Sequence, residues 1–227
     1  MKKAAAYCMT RNCYKVAVPS IKSLLINSDV DVVYLIIEDD EFPVDLPRTK
    51  IINMKDQKFF PQGSMNYNTL WTYMCLMRAA LAKILKESQV LSLDIDTIID
   101  GDISELWELP LKDYYLAAGI EPHKSQNDAK YFNVGVAMYN LAKIRKDGMA
   151  DKMIDALNKK PYGFIDQDCV NEFCAGKILE LDPKYNVHQW ARHTVDEPVI
   201  IHYAGYGPEQ WTRFTGFQKY LHAEVEK

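Results

Sequence analysis

The sequence has no long hydrophobic run and no strongly basic stretch. Its apolar segments fall short of the roughly 18 to 20 residues that a membrane-spanning helix needs, so we expect no stable membrane anchor. The formal net charge is −4 over 227 residues, which argues against a nucleic-acid partner. A nucleotide or another phosphorylated ligand is compatible with this charge, because one local site is enough to bind it.

The sequence also lacks a C-x-x-C pair, and its five cysteines are an odd number. This pattern argues against a disulfide framework or a zinc cluster and favours reduced thiols. The opening MKKAAAYCMTRN has too short an apolar stretch for a signal peptide and is interpreted as a first strand. We therefore expect a cytoplasmic protein.

Segments with strand patterns and helix patterns alternate along the chain. The strand patterns include AAAYCM, VDVVYLIIED and QVLSLDID. The helix patterns include PSIKSLLINS, opened by Pro19, and residues 66–86, whose apolar stripe begins at Leu70. Such alternation is typical of an α/β fold with a mostly parallel sheet and helices on its faces. The length fits one domain over residues 1–227.

Residues 210–227 are predicted to form a C-terminal helical tail. Its apolar residues fall on roughly one helical face, and they are Phe217, Tyr220, Leu221 and Val225. Few cations flank this face, so we expect it to dock on the domain rather than on a membrane.

Acidic residues follow the apolar strand at residues 90–93 directly. Asp94 and Asp96 are two positions apart, so on an extended segment they project to the same side and can reach one divalent cation. In open sheets of this type, ligands bind at the C-terminal ends of the strands. The alternative is a solvated acidic turn, which is how we interpret the following Asp100 and Asp102.

A histidine, His202, ends the apolar strand VIIHYAG. A neutral imidazole is a good ligand for manganese-like or zinc-like ions, although a lone histidine in a strand is more often a hydrogen-bonded core residue. Together with Asp94 and Asp96, which form the D-x-D motif, it gives a two-aspartate, one-histidine set that leaves coordination positions for a diphosphate. The other histidines show no ligand spacing and are expected at the surface or in loops, and they are His123, His188, His193 and His222.

Two further polar groups have both a structural and a functional explanation. Asp166, Gln167 and Asp168 fall in the first turn of a predicted helix, where acids suit the helix dipole. They could equally form the edge of a site that contacts sugar hydroxyls. Asn133 lies in an otherwise apolar strand, and its buried amide needs a partner from the backbone or from a ligand.

The order of these elements and motifs resembles glycosyltransferase family 8, the retaining enzymes that include glycogenin and bacterial lipopolysaccharide galactosyl- and glucosyltransferases. The resemblance covers nearly the whole chain and rests on TRNCY, YMCLMRAAL, LSLDIDTII, YFNVGVAMYNL, DQDCVNEF, KYN and IIHYAG. It implies a GT-A fold, which is a single Rossmann-like domain that binds a nucleotide-sugar.

The resemblance also implies a role for each matching residue. Asp94, Asp96 and His202 would bind Mn²⁺, or Mg²⁺ in its place, and the ion would bridge the diphosphate. The implied substrate contacts are Thr10 and Tyr14 on the uracil, Arg78 on the donor sugar or diphosphate, Asn133 on the donor sugar, and Glu121 toward the acceptor. Asp166 and Gln167 would line the donor sugar as the catalytic pair.

Two positions depart from the family pattern. The family often ends in H-x-x-G-x-x-K-P-W with the lysine on the diphosphate, whereas this chain has HYAGYGPEQW and no lysine there. Arg213 is the candidate substitute. The tyrosine that is common before the D-x-D is Ser92 here.

The expected function is therefore metal-dependent, retaining transfer of glucose or galactose from a UDP-sugar. The acceptor would be a glycan, a lipid-linked sugar or a protein side chain. Two alternatives stay open, a UDP-sugar hydrolase and a catalytically silent protein that binds a nucleotide-sugar.

Overall fold

The computed structural model describes residues 2–121, 124, 130–188 and 193–225. Within these residues the strands are β1 (Ala4–Cys8), β2 (Val32–Ile37), β3 (Thr49–Asn53), β4 (Val90–Leu93), β5 (Thr97–Ile99), β6 (Leu116–Ile120), β7 (Phe132–Tyr139), β8 (Ile178–Glu180), β9 (Val187–His188) and β10 (Ile200–His202). The α-helices are α1 (Tyr14–Asn27), α2 (Met77–Ile84), α3 (Leu141–Lys146), α4 (Met149–Lys159), α5 (Ile165–Phe173), α6 (Pro208–Trp211) and α7 (Thr215–Leu221). Short 3₁₀ turns cover Arg11–Cys13, Tyr73–Leu76, Ser104–Glu108, Leu111–Asp113 and Pro183–Tyr185.

Seven of the described strands form one sheet in the order β3-β2-β1-β4-β7-β6-β8, and β5, β10 and β9 form a small second sheet. Neighbours in the large sheet are parallel, except that β7 runs antiparallel to both β4 and β6. The predicted mostly parallel sheet is confirmed. The chain continues from β1 to β2 on one side and later returns to β4 on the other. The C-terminal ends of β1 and β4 therefore form a topological switch point, where ligands bind in such sheets.

Alternate residues of β1 point to the two faces of the large sheet. Ala4 and Ala6 belong to the apolar cluster formed with α2, α4 and α5, whereas Ala5 and Tyr7 belong to the cluster formed with α1, β5 and β10. Successive side chains of a strand project to opposite faces, so both faces of this sheet are covered. A strand covered on both sides has an almost continuous apolar sequence, as the strand predictions assumed.

The predicted helix over 66–86 is wrong in its first part. Turns occupy that part, α2 begins later, and Leu70 is 97% exposed. Asn66 is buried and its Nδ2 donates to two backbone carbonyls near the end of α4, at 2.6 and 2.7 Å. The hydroxyl of Thr72 accepts a hydrogen bond from the N–H of Met74 at 3.3 Å. Side chains of this kind compete with helical hydrogen bonding, which explains the late start.

The first helix also begins earlier than predicted. α1 starts at Tyr14, and Pro19 lies inside it rather than at its first position. Proline removes one helical hydrogen bond, but Val16 and Ala17 are buried along the helix like Ile21 beyond the proline, so packing continues across it. No prediction covered α4, although its residues Met149, Met153 and Leu157 are buried at every fourth position.

The C-terminal segment docks on α1 through α7. Phe217 and Tyr220 are buried, and the Tyr220 hydroxyl accepts from Asn27 Nδ2 and donates to Asp100 Oδ1, both at 2.7 Å. Leu221, predicted on the same face, is exposed instead. The carboxylate of Asp100 therefore contacts the C-terminal segment and not Asp94 or Asp96. Among the described helices, none combines the length and the apolar character needed to cross a membrane.

Replacing Phe217 by alanine tests this docking. The side chain is 1% exposed, so the change should lower the free energy of unfolding by about 3–5 kcal/mol through lost burial and a new cavity. Urea unfolding followed by tryptophan fluorescence measures the change. Leu221→Ala is the control on the same helix and should alter stability by less than about 0.5 kcal/mol. Equal stabilities of the two variants would show that α7 is not docked.

Candidate metal and nucleotide site

Strand pairing brings the predicted metal ligands together. Asp94 and Asp96 lie in the short loop from β4 to β5, and β10 pairs antiparallel with β5 so that His202 is opposite Thr97. The backbone holds both ends of the loop: Asp94 N–H donates to Gly135 O at 2.7 Å, and Tyr203 N–H donates to Asp96 O at 2.8 Å. Two short elements distant in sequence therefore place the three side chains at one point.

The ligand atoms of Asp94, Asp96 and His202 all lie within 4.8 Å of one another. His202 Nε2 is 3.4 Å from Asp96 Oδ1 and 3.7 Å from Asp94 Oδ2. His202 and Asp96 are buried, whereas the Asp94 side chain is 33% exposed. Burial disfavours the charged imidazole, but Asp96 and Asp94 outweigh it and raise the pKa of His202.

A glycine in β7 makes room for this cluster. A Cβ at Gly135 would lie 2.2 Å from His202 Cε1 and 2.7 Å from Asp94 Oδ2. Both distances are far below van der Waals contact, so any other residue would displace a ligand side chain. Two carboxylates and an imidazole are a donor set that suits Mn²⁺ and, less well, Mg²⁺. The residues present therefore fit a divalent cation.

An ion pair beneath the cluster joins α2 to α5. Arg78 Nη1 is 2.5 Å from Asp94 Oδ1, its Nη2 donates to Asp166 Oδ1 at 3.1 Å, and its Nε lies 2.7 Å from Asp166 Oδ2. Arg78 is 8% exposed and Asp166 is 1% exposed. Burial disfavours the guanidinium charge, but Asp166 and Asp94 outweigh it and raise the pKa of Arg78. Burial raises the pKa of Asp166 to about 6, while the charge of Arg78 opposes the shift.

The first turn of α5 is fixed by contacts to β7. Gln167 Oε1 accepts from Val134 N–H at 3.2 Å, and its Nε2 donates to Tyr131 Oη at 3.3 Å. The Tyr131 hydroxyl in turn donates to Asp168. Asp166 faces Arg78 behind the cluster, so its contact with a donor sugar stays a prediction.

The protein itself satisfies the buried amide of Asn133. Its Oδ1 accepts from Gly135 N–H at 3.0 Å and from Asn186 Nδ2 at 3.1 Å, and its Nδ2 donates to Glu121 Oε2 at 3.2 Å. Asn186 Oδ1 then lies 2.9 Å from His202 Nδ1. The predicted contacts of Asn133 and Glu121 with substrates stay predictions, because both side chains are engaged within the protein.

The expectation for His188 is wrong. It is 7% exposed, its ring stacks on that of His202 with centroids 5.6 Å apart, and its Nε2 is 3.8 Å from Glu121 Oε2. β9 has two residues, too few for a strand pattern, yet it pairs parallel with β10 and places His188 opposite His202. His193 and His222 are exposed as expected, and His123 lies outside the described residues.

Sequence reasoning also overlooked Asn186 as a contact of the cluster. It entered only as the last letter of the KYN motif. Its turn position after Tyr185 carries no periodic signal, and the contact with His202 depends on chain segments that meet only in the fold.

The predicted uracil contacts lie at the same sheet edge but outside the cluster. Thr10 follows β1 and its hydroxyl donates to Asn12 Oδ1 at 2.5 Å, while Tyr14 opens α1. A cleft of about 430 Å³ beside them is lined by Asn12, by Ile95 and by residues of α6, among others. Ile95 separates the two aspartates, so this cleft adjoins the D-x-D. Arg213 is exposed in the turn after α6.

Comparison with known sequences identifies related proteins. Residues 5–213 match the family described as Glycosyl transferase family 8. A putative glycosyltransferase of Haemophilus influenzae is 28% identical over 66% of this chain and 51% of its own length. The glycosyltransferase GlyA of Streptococcus pneumoniae is 32% identical over 60% of this chain and 21% of its own length. The chain thus spans about half or less of these two relatives.

Solved structures show the same fold. The galactosyltransferase LgtC, in complex with donor and acceptor sugar analogues, superimposes with a TM-score of 0.73 at 17% identity and covers 97% of each chain. GlyE of Streptococcus pneumoniae superimposes with a TM-score of 0.71 at 20% identity over 99% of this chain and 61% of its own. At these identities the likeness concerns the fold.

Replacing Gly135 by alanine tests the space at the cluster. The added Cβ would displace His202 or Asp94, so the affinity for Mn²⁺ should fall by at least about tenfold, as when partners of metal ligands are altered. Titration followed by the paramagnetic resonance signal of free Mn²⁺ measures it. Gly101→Ala is the control, since its Cβ would meet Val199 at an ordinary 3.4 Å. Unchanged affinity in the Gly135 variant would mean that the ion binds elsewhere.

Proposed function

The chain belongs to glycosyl transferase family 8 and has the GT-A fold, and from this we propose that it transfers glucose or galactose from a UDP-sugar with retention at the anomeric carbon. The acceptor is a glycan, a lipid-linked sugar or a protein side chain. We propose further that residues 1–227 act as one catalytic domain. A cytoplasmic location, expected from the cysteines, stays a prediction.

The observation that carries this proposal is the charge at the switch point. Asp94 and Asp166 hold the guanidinium of Arg78 between them, and Asp96 lies with Asp94 and His202 in the adjoining cluster. With His202 neutral, this group keeps two negative charges, in a place where two of the three carboxylates are buried. Buried charge is costly unless it is compensated, and one divalent cation would compensate it.

Asp94, Asp96 and His202 would hold this ion, for which we propose Mn²⁺, with Mg²⁺ as the alternative. When bound, the ion supplies a Lewis acid for the negative charge that develops on the departing UDP. The Asp94 side chain is the most open of the three, so ligand and solvent reach the cluster from its side. The cleft next to Ile95 would receive the nucleoside, with Thr10 and Tyr14 at the uracil.

Arg78 has a positioning role in this scheme. Its guanidinium is fixed between Asp94 and Asp166, so it orients one carboxylate of the metal set. It also contributes positive charge next to the diphosphate. Gln167 and Asn133 would border the donor sugar, and Glu121 would lie on the acceptor side.

Two features support a front-face route to retention. A double displacement needs a carboxylate close to the anomeric carbon, but Gln167 carries an amide, a poor nucleophile. The Asp166 carboxylate is 1% exposed and faces Arg78. We therefore propose that the acceptor hydroxyl attacks on the same face from which UDP departs.

Release of UDP from UDP-glucose or UDP-galactose, with Mn²⁺ present, tests the function. Asp96→Asn removes a metal ligand and should lower kcat/KM for UDP release by at least about 100-fold, roughly the 3 kcal/mol of a lost electrostatic contact. Asp102→Asn is the control. Asp102 accepts from Ser104 N–H at 2.9 Å beyond the site, so this variant should keep the activity.

Full manganese-dependent activity in the Asp96 variant would contradict the metal assignment. Two competing functions are tested by the same assay. The altered last motif makes the silent binder plausible, since Pro208 stands where the family has its lysine. Release of UDP at the same rate without any acceptor would identify a hydrolase. Donor binding without release of UDP would identify a silent binder.

A further inference from the structure

A series of hydrogen bonds leads from the sheet interior to His202, the histidine of the candidate metal cluster. It begins at the backbone N–H of Gly135 and at Glu121, passes through Asn133 and Asn186, and ends at His202 Nδ1. Asn133 and Asn186 are 6% and 8% exposed, so solvent does not replace these contacts. These hydrogen bonds connect the residue after β6 with β7 and β10 around the cluster.

The direction of these hydrogen bonds is fixed by a group that can only donate. The Gly135 N–H donates to one end of the Asn133 amide, which must therefore be Oδ1. Asn186 directs its Nδ2 to the same oxygen at 3.1 Å. Its other end, 2.9 Å from His202, is consequently Oδ1, an acceptor. Glu121 agrees with this direction, because its carboxylate accepts from Asn133 Nδ2 at 3.2 Å.

This direction decides which nitrogen of His202 faces the acids. Because the oxygen that faces Nδ1 is an acceptor, Nδ1 must carry a proton. In a neutral ring the lone pair is then on the other nitrogen, Nε2. Asp94 and Asp96 lie next to Nε2 and by themselves would favour a proton there. The Asn186 oxygen opposes that preference and also fixes the rotation of the ring. Metal-bound histidines commonly need such a partner on the other nitrogen.

We propose that Asn186 is a positioning residue that holds His202 with Nδ1–H in a hydrogen bond and Nε2 presented to the divalent cation. Asn133 and Glu121 set the orientation of the Asn186 amide. This inference rests on the proposed metal site. It adds to that site a residue for which no contact with a substrate was predicted.

Two substitutions at Asn186 separate positioning from a purely structural role. Asn186→Leu keeps the side-chain size but removes the acceptor, so the affinity for Mn²⁺ should fall by about 10- to 100-fold. Asn186→Asp loses the donor to Asn133 Oδ1 but retains an acceptor oxygen at His202, as carboxylates often provide beside metal-bound histidines, so it should bind Mn²⁺ clearly more tightly than Asn186→Leu. Both affinities are measured on the whole chain by titration with Mn²⁺ alone, without any substrate.

A matched control comes from a second buried asparagine. Asn140 is also 8% exposed, and its Oδ1 accepts from Lys143 N–H at the start of α3. It lies past the other end of β7 from Asn133, on the order of 20 Å along the strand. Asn140→Leu should lower thermal stability as the loss of a buried amide does, yet leave the Mn²⁺ affinity unchanged.

A second readout covers an Asn186→Leu variant too unstable to titrate. In the unaltered protein loaded with diamagnetic Zn²⁺, the His202 Nδ1–H should give a proton resonance protected from solvent exchange. Its assignment follows from its loss in His202→Gln. Asn186→Asp should retain this resonance.

Each outcome supports or overturns the proposal. Weak Mn²⁺ binding by Asn186→Leu with clearly tighter binding by Asn186→Asp supports it, as does the protected resonance. Unchanged binding by a folded Asn186→Leu overturns it and leaves the metal site intact, as does the absence of a protected resonance. If the unaltered protein bound no manganese, the metal site itself would be wrong.

Discussion

The arrangement of the site depends on how the protein compensates charge at the C-terminal edge of its sheet. Arg78 neutralises only part of the charge of the surrounding carboxylates, and it does so in a buried position between Asp94 and Asp166. Desolvated charges tolerate little displacement, because separation of the partners would leave an uncompensated buried ion. The ion pair therefore holds α2, the loop after β4, and α5 together at the point where the cation would bind.

The antiparallel strand β7 contributes the second half of this arrangement. Asn133 and Gly135 lie on it near the point where its pairing with β6 shifts register. Gly135 provides the space for His202 and Asp94, and its N–H orients Asn133. One strand thus supplies both the room for the ligand set and the start of the hydrogen bonds that reach His202. It lies between β4 and β6 and runs antiparallel to both, and this position places it beside the D-x-D.

The errors of prediction fall where contacts distant in sequence override local pattern. The 66–86 helix was predicted from periodicity, but buried hydrogen bonds of Asn66 to the end of α4 hold its first part in turns. His188 was expected at the surface or in a loop because the histidines show no ligand spacing, and pairing of β9 with β10 buries it. Asn186 had no signal beyond a short motif. In each case the deciding partner lies on another element.

The sequence by itself determined the alternation of strands and helices, the parallel character of the sheet, and the position of Asp94, Asp96 and His202 at strand ends. These features follow from local periodicity and from the side-chain direction along a strand. The tertiary structure alone decided that Arg78 is shared by two carboxylates, that Gly135 leaves room for the ligands, and that Asn186 faces His202 Nδ1. The physical reason is that hydrogen-bond direction and charge compensation depend on distances between atoms, which only the packed chain establishes.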